Sequence, residues 1–150
     1  MSRLQLALNV SNLDEAISFY SKYFNTEPAK VRPGYANFAI LEPPLKLVLF
    51  EGAGEPGSIN HLGVEVATSD EVIAATDRLA SAGLATEIAE RTTCCYAVQD
   101  KVWVNGPDGS RWEVYTVLAD APPPEAVALD GSCCTTGEVA VTSPATSACC

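Results

Sequence analysis

Residues 5–17, Gln-Leu-Ala-Leu-Asn-Val-Ser-Asn-Leu-Asp-Glu-Ala-Ile, return at residues 61–73 as His-Leu-Gly-Val-Glu-Val-Ala-Thr-Ser-Asp-Glu-Val-Ile, at a constant offset of 56 with Leu, Val, Asp-Glu and Ile in register. A repeat of that length marks one supersecondary unit folded twice. Each copy reads as an alternating strand (Leu4 to Val10; His61 to Val66), a polar cap, and a helix (Asp14 to Phe24; Asp70 to Ala82) with apolar residues three and four apart. Three further strands follow in each copy. They are expected near Ala29–Val31, Tyr35–Leu41 and Lys46–Glu51, and near Ala85–Glu90, Val98–Val104 and Arg111–Val117. The turns Glu42-Pro43-Pro44 and Asn105-Gly106-Pro107-Asp108-Gly109 separate the last two strands of each copy. The expected fold class is α+β, built from two βαβββ modules at about residues 1–55 and 57–120.

Past that point the composition changes. Ala121-Pro122-Pro123-Pro124 opens a stretch rich in Ser, Thr and Ala, with no Lys, Arg or aromatic residue. It has too little to bury to order itself, so residues 121–150 are expected to form a flexible tail on a domain of residues 1–120. The net charge of −10 argues against nucleic acid as a partner. The best apolar run, Leu45 to Phe50, is far shorter than a membrane span and contains Lys46. Gln5 and Asn9 interrupt any signal-peptide core, so a cytoplasmic protein is expected. The six cysteines fall as three adjacent pairs, Cys94-Cys95, Cys133-Cys134 and Cys149-Cys150. Neighbouring Cα atoms are about 3.8 Å apart, below the usual disulfide range, which favours free dithiols suited to metal or redox chemistry.

The repeat also acts as a detector of sites, because equivalent positions of two such modules face one another across a pseudo-two-fold axis. Gln5 is equivalent to His61, and alignment of the last strands makes Val48 the counterpart of Glu113. Glu113 lies in a strand on the face opposite Trp112 and Val114, where an unpaired carboxylate is costly and calls for a cation. His61 is the only histidine and belongs to the commonest class of metal ligand. Three of four converging positions therefore carry Gln, His and Glu. Val48 cannot ligate, and Glu51, three residues on, points to the other face. Three protein donors on one side of an ion leave places open, as in catalytic and facial-triad sites.

These positions, the paired modules and the Gly106-Pro107-Asp108-Gly109 turn resemble the vicinal oxygen chelate superfamily of glyoxalases, extradiol dioxygenases and bleomycin-resistance proteins. Residues 33–40, 43–49 and 60–66, together with the signature from Thr92 to Val104, resemble more narrowly the carbon-arsenic lyases and the related cadmium-induced proteins. The resemblance implies an Fe(II)-dependent dioxygenase that releases inorganic arsenite from trivalent organoarsenicals such as methylarsenite. It implies Gln5, His61 and Glu113 as metal ligands, and Cys94 and Cys95 as the thiols that hold the substrate. Val48 departs from the four-ligand glyoxalase pattern. The chemistry is consistent: soft trivalent arsenic has two valences for adjacent thiols, whereas the harder nitrogen and oxygen set suits divalent iron. Tyr96 and Tyr115 are expected to line the pocket. A straight run over residues 95–101 would span roughly 20 Å, so the cysteine pair is expected on a loop folded back over the metal face. The alternatives are a cadmium- or arsenic-binding detoxification protein without turnover, and a ligand-binding module of the bleomycin-resistance type, which needs no metal ligands. Either a monomer or a homodimer would accommodate these readings.

Overall fold

A computed structural model of the chain describes residues 2–94 and 96–121. The expected tail, with Cys133-Cys134 and Cys149-Cys150, lies outside the described residues, as do Cys95 and the side chain of Cys94. The first module comprises β1 (Arg3–Val10), α1 (Leu13–Phe24), β2 (Lys30–Arg32), β3 (Tyr35–Ile40) and β4 (Leu45–Glu51). The second comprises β5 (Ile59–Glu65), α2 (Ser69–Ser81), β6 (Glu87–Cys94), β7 (Ala97–Asn105) and β8 (Arg111–Asp120). The eight strands of the described residues form one sheet in the order β2-β3-β4-β1-β5-β8-β7-β6. The two βαβββ modules meet where β1 runs antiparallel to β5, matching the mixed, curled-sheet fold that the repeat predicts. Among the described residues no helix is long and apolar enough to cross a membrane.

Local chemistry explains the helix boundaries. The Asn12 side chain accepts the Glu15 N–H at 3.0 Å to open α1, and Asn25 ends it in the left-handed conformation at φ 48°. Thr68 and Glu71 form a reciprocal capping box on α2. Glu51 points to the helix side of the sheet, as its parity predicts, and its Oε1 accepts the Leu13 N–H at 3.0 Å.

Strand alternation then sorts the two faces. Leu6, Leu8 and Val10 of β1 join Phe38, Ile40, Leu47 and Leu49 beneath α1, so this core is the apolar stripe of an amphipathic helix closed on one sheet face. Ala7, Val48, Phe50 and Tyr35 line the opposite face. The register repeats with the sequence: in β1 and β4 Ala7 lies opposite Val48, and in β5 and β8 Gly63 lies opposite Glu113. Between the modules Gln5 pairs with Gly63 and Ala7 with His61, so the pseudo-two-fold passes between these two pairs.

One expectation changes. The strand expected near Ala85–Glu90 runs instead from Glu87 to Cys94, continuing past a bulge between Ala89 and Thr92 where Arg91 takes φ 46°. Cys94 pairs with Ala97 and so ends β6 instead of lying on a loop, while Cys95 lies outside the described residues. The Tyr96 ring lies 5.5 Å from that of Tyr35 on β3, and the Lys30 ammonium on β2 donates to the Tyr96 carbonyl at 3.3 Å. Lys30 also pairs with Asp120 at the end of β8. The β6–β7 hairpin end thus meets the opposite edge of the sheet.

Candidate metal centre

Gln5 from β1, His61 from β5 and Glu113 from β8 meet on the concave face, 4%, 4% and 3% exposed. Gln5 Nε2 lies 3.0 Å from His61 Nε2 and donates to Glu113 Oε1 at 2.7 Å; His61 Nε2 and Glu113 Oε1 are 3.4 Å apart. Gly63 makes the space. A Cβ there would stand 2.9 Å from Glu113 Cγ and 3.5 Å from Gln5 Cβ, so a side chain at this position would push the carboxylate out of place.

The neighbours set the states of His61 and Glu113. His61 Nδ1 is 2.7 Å from Asn60 Oδ1, an acceptor, which keeps the ring proton on Nδ1 and the Nε2 lone pair turned toward Gln5 and Glu113. The Asn60 amide donates in turn to Asn9 Oδ1 at 3.0 Å, and Asn9 donates to the Ser58 hydroxyl at 2.9 Å. Phe50 and Trp103 flank the imidazole with ring centroids at 6.2 and 5.4 Å. Burial by itself would raise the Glu113 carboxyl, but the Lys101 ammonium at 2.8 Å from Oε2 holds it well below the usual carboxylate range. Tyr115, fully buried, is 2.5 Å from Gln5 Oε1 and 2.7 Å from Glu65 Oε2 through its hydroxyl. Burial, with the Glu65 and Glu113 carboxylates, pushes this phenol up and keeps it protonated.

The donor set fits a small divalent ion. At bond lengths of roughly 2.0–2.2 Å, ligands at right angles stand about 3 Å apart; with the Gln5 oxygen turned into the place that its Nε2 takes here, the three separations are 2.7, 3.0 and 3.4 Å. Lys101 occupies only Oε2 of Glu113, which leaves Oε1 directed at Gln5 and His61. Among the described residues no three His, Cys, Asp or Glu side chains cluster; the third member of the trio is an amide. The fourth equivalent position is Val48, buried opposite Ala7.

Of the expected pocket residues, Tyr96 packs its ring on Tyr35 near the hairpin end, whereas Tyr115 sits behind Gln5 with its hydroxyl engaged. Cys94 ends β6 beside Tyr96, and Cys95 lies outside the described residues. Sequence reasoning missed Lys101, the internal cation that Glu113 requires, 1% exposed. A signal was available: folding β7 and β8 about the Gly106–Gly109 turn sets Trp103 opposite Glu113 and Lys101 opposite Tyr115, diagonal to the carboxylate. Asn60 and Glu65 carried no comparable signal.

Comparison with known proteins gives concordant findings. A family model described as the Glyoxalase/Bleomycin resistance protein/Dioxygenase superfamily matches residues 3–114. The cadmium-induced protein CadI of Mycobacterium tuberculosis is 60% identical over 148 residues, covering 94% of this chain and 97% of that protein. The trivalent organoarsenical cleaving enzyme of Thermomonospora curvata is 62% identical over 136 residues, covering 90% of this chain and 89% of that protein. Among solved structures, the 2,3-dioxygenase LapB of Pseudomonas sp. KL28 matches with a TM-score of 0.60 at 18% identity, over 79% of this chain and 42% of that one. At that identity the likeness is one of fold.

Proposed function

Because the chain belongs to the Glyoxalase/Bleomycin resistance protein/Dioxygenase superfamily, we propose that it is an Fe(II)-dependent dioxygenase that cleaves the carbon-arsenic bond of trivalent organoarsenicals and releases inorganic arsenite. The observation that carries this reading is the buried trio of one amide, one imidazole and one carboxylate, 2.7–3.4 Å apart, with Val48 where a fourth donor would stand. Three protein donors leave three places of a six-coordinate ion for reactants, where a fourth donor would take one of them. Fe(II) held there would supply electrons and coordination places for dioxygen.

The chain's own residues do the remaining work. Gln5, His61 and Glu113 hold the ion, Lys101 keeps Glu113 ionised, and Asn60 keeps the His61 lone pair available. Cys94 and Cys95 hold the substrate: a species R–As(OH)2 exchanges both hydroxyls for two cysteine sulfurs, and two waters leave. Two As–S bonds fix the arsenic where one would let it swing. Tyr96 and Tyr35 line the approach, and Tyr115 backs the site behind Gln5. Thiols of this kind require a reducing compartment, such as the cytoplasm.

The test is anaerobic reconstitution with Fe(II), then methylarsenite and dioxygen, with arsenic speciation as the readout. Stoichiometric excess of arsenite over protein is the expected result; its absence from iron-loaded protein refutes the reading. A second reading, sequestration of cadmium or arsenite by thiols without turnover, is favoured by the name of the CadI relative and by Lys101, which neutralises Glu113 with no metal required. Under that reading the arsenical stays bound and no arsenite is released.

A further inference from the structure

The Tyr115 hydroxyl carries one hydrogen and has two acceptors within reach, Gln5 Oε1 at 2.5 Å and Glu65 Oε2 at 2.7 Å. It cannot donate to both. Glu65 has the stronger claim because it is a carboxylate held between cations: Arg3 lies 2.8 Å from Oε1 and Lys46 3.0 Å from Oε2. Hydrogen bonds to ionised acceptors are roughly twice as strong as those between neutral groups. With its proton committed to Glu65, Tyr115 turns a lone pair toward Gln5, where an N–H is the better partner.

The other end of the same amide has the opposite preference in the absence of a metal. His61 Nε2 and Glu113 Oε1 both present lone pairs, and Gln5 Nε2 donates into them. Rotation of the amide by half a turn leaves the heavy-atom outline unchanged and exchanges the two ends. It would satisfy Tyr115 and set Gln5 Oε1 against two other lone-pair donors, an arrangement that only a cation stabilises. The amide thus has two orientations, and the ion and Glu65 favour the same one.

We propose that Glu65, anchored by Arg3 and Lys46, is a positioning residue that acts through Tyr115 to turn the Gln5 oxygen toward the metal place beside His61 and Glu113. The inference rests on the metal-centre reading above. It deepens that reading by assigning a role to an ion-pair cluster on the far side of the Gln5 amide.

Two measurements on the full chain test it. The first is Fe(II) affinity, measured anaerobically, for the parent and for Gln5→Ala, Tyr115→Phe and Glu65→Gln. Loss of an outer partner of a ligand costs roughly 10–100-fold in metal affinity. Glu65→Gln is expected to weaken binding at least as much as Tyr115→Phe, because a glutamine can donate to the phenol oxygen and free its proton to hold Gln5 Oε1 away from the metal. A merely structural role predicts the reverse order, since Tyr115→Phe removes the buried hydroxyl. The second is the Gln5 side-chain amide resonance of the parent, with and without diamagnetic Zn(II), which needs no variant to fold. Zn(II) is expected to move the amide protons from the carboxylate to the phenol oxygen. Parent protein that binds neither ion, or Gln5→Ala with parent affinity, overturns the metal-centre reading and this inference with it. Parent binding weakened by Gln5→Ala but unaltered in both other variants, or Gln5 resonances insensitive to Zn(II), overturns this inference alone.

Discussion

Replacing Lys101 by Met keeps much of the volume and length of the side chain and removes its charge. In the parent the ammonium, 1% exposed, meets the Glu113 carboxylate, 3% exposed, at 2.8 Å. Breaking such a pair from one side strands the other charge and costs about 3–5 kcal/mol, which for a domain of this size is a large part of a net stability of roughly 5–15 kcal/mol. The loss depends on pH in a definite direction. Parent Glu113 is depressed from 4.5 to about 2, so its contribution is present above the unfolded value and fades as pH falls toward about 2. In the variant, burial without Lys101 raises the carboxyl above its unfolded value, so the folded state is penalised at neutral pH and relieved on acidification. The stability gap between parent and variant should therefore be wide near neutrality and narrow steadily as pH falls from the variant's raised carboxyl value toward about 2, the unfolded value being common to both. A divalent ion at Glu113 Oε1 restores a positive partner, so Fe(II) or Zn(II) should stabilise the variant by more than it stabilises the parent. The assay is urea unfolding with and without metal across pH. An apo variant as stable as the parent at pH 7 would refute the reasoning, and a metal increment no larger than the parent's would separate Glu113 from the metal place.

Gly63→Ala should lower both stability and Fe(II) affinity, because a Cβ 2.9 Å from Glu113 Cγ meets a side chain that Lys101 and Gln5 hold in place; overpacking of this kind costs about 1–3 kcal/mol, read by urea unfolding and metal titration. Val48→Glu should tighten metal binding and reduce turnover by completing a four-donor shell, and weaker binding would show that this position does not face the ion. Cys94→Ser and Cys95→Ser should each abolish arsenite release with Fe(II) stoichiometry unchanged, since a hydroxyl is neither ionised near neutral pH nor soft; parent turnover in either variant would remove the pair from the substrate clamp. Truncation after Ala121 should leave the melting temperature unchanged, because every described helix and strand ends by Asp120, and a marked fall would show that the remainder contributes to the domain.

The 56-residue offset and the two-residue strand period were enough to establish the two modules and the equivalence of Gln5 with His61, and alignment of the last strands on their turns gave that of Val48 with Glu113. They also assigned Glu51 to the helix side of the sheet, where it caps α1. Those properties follow from periodicity, which every stretch of the chain carries locally. What stands beside a residue is not local. Lys101 reaches Glu113 because β7 pairs with β8 in one register. Gly63 must lack a side chain because β1, β5 and β8 converge there. Tyr96 meets Tyr35 because the sheet curls its two edges together, and Cys94 ends β6 by pairing with Ala97. Glu65 was legible only as an outward or inward position on its strand, whereas its control of the Tyr115 proton depends on Arg3 and Lys46 arriving from two other strands. Sequence period decides which face a side chain takes; register and curvature, set by packing across the whole sheet, decide which charges and hydrogen-bond partners it finds there.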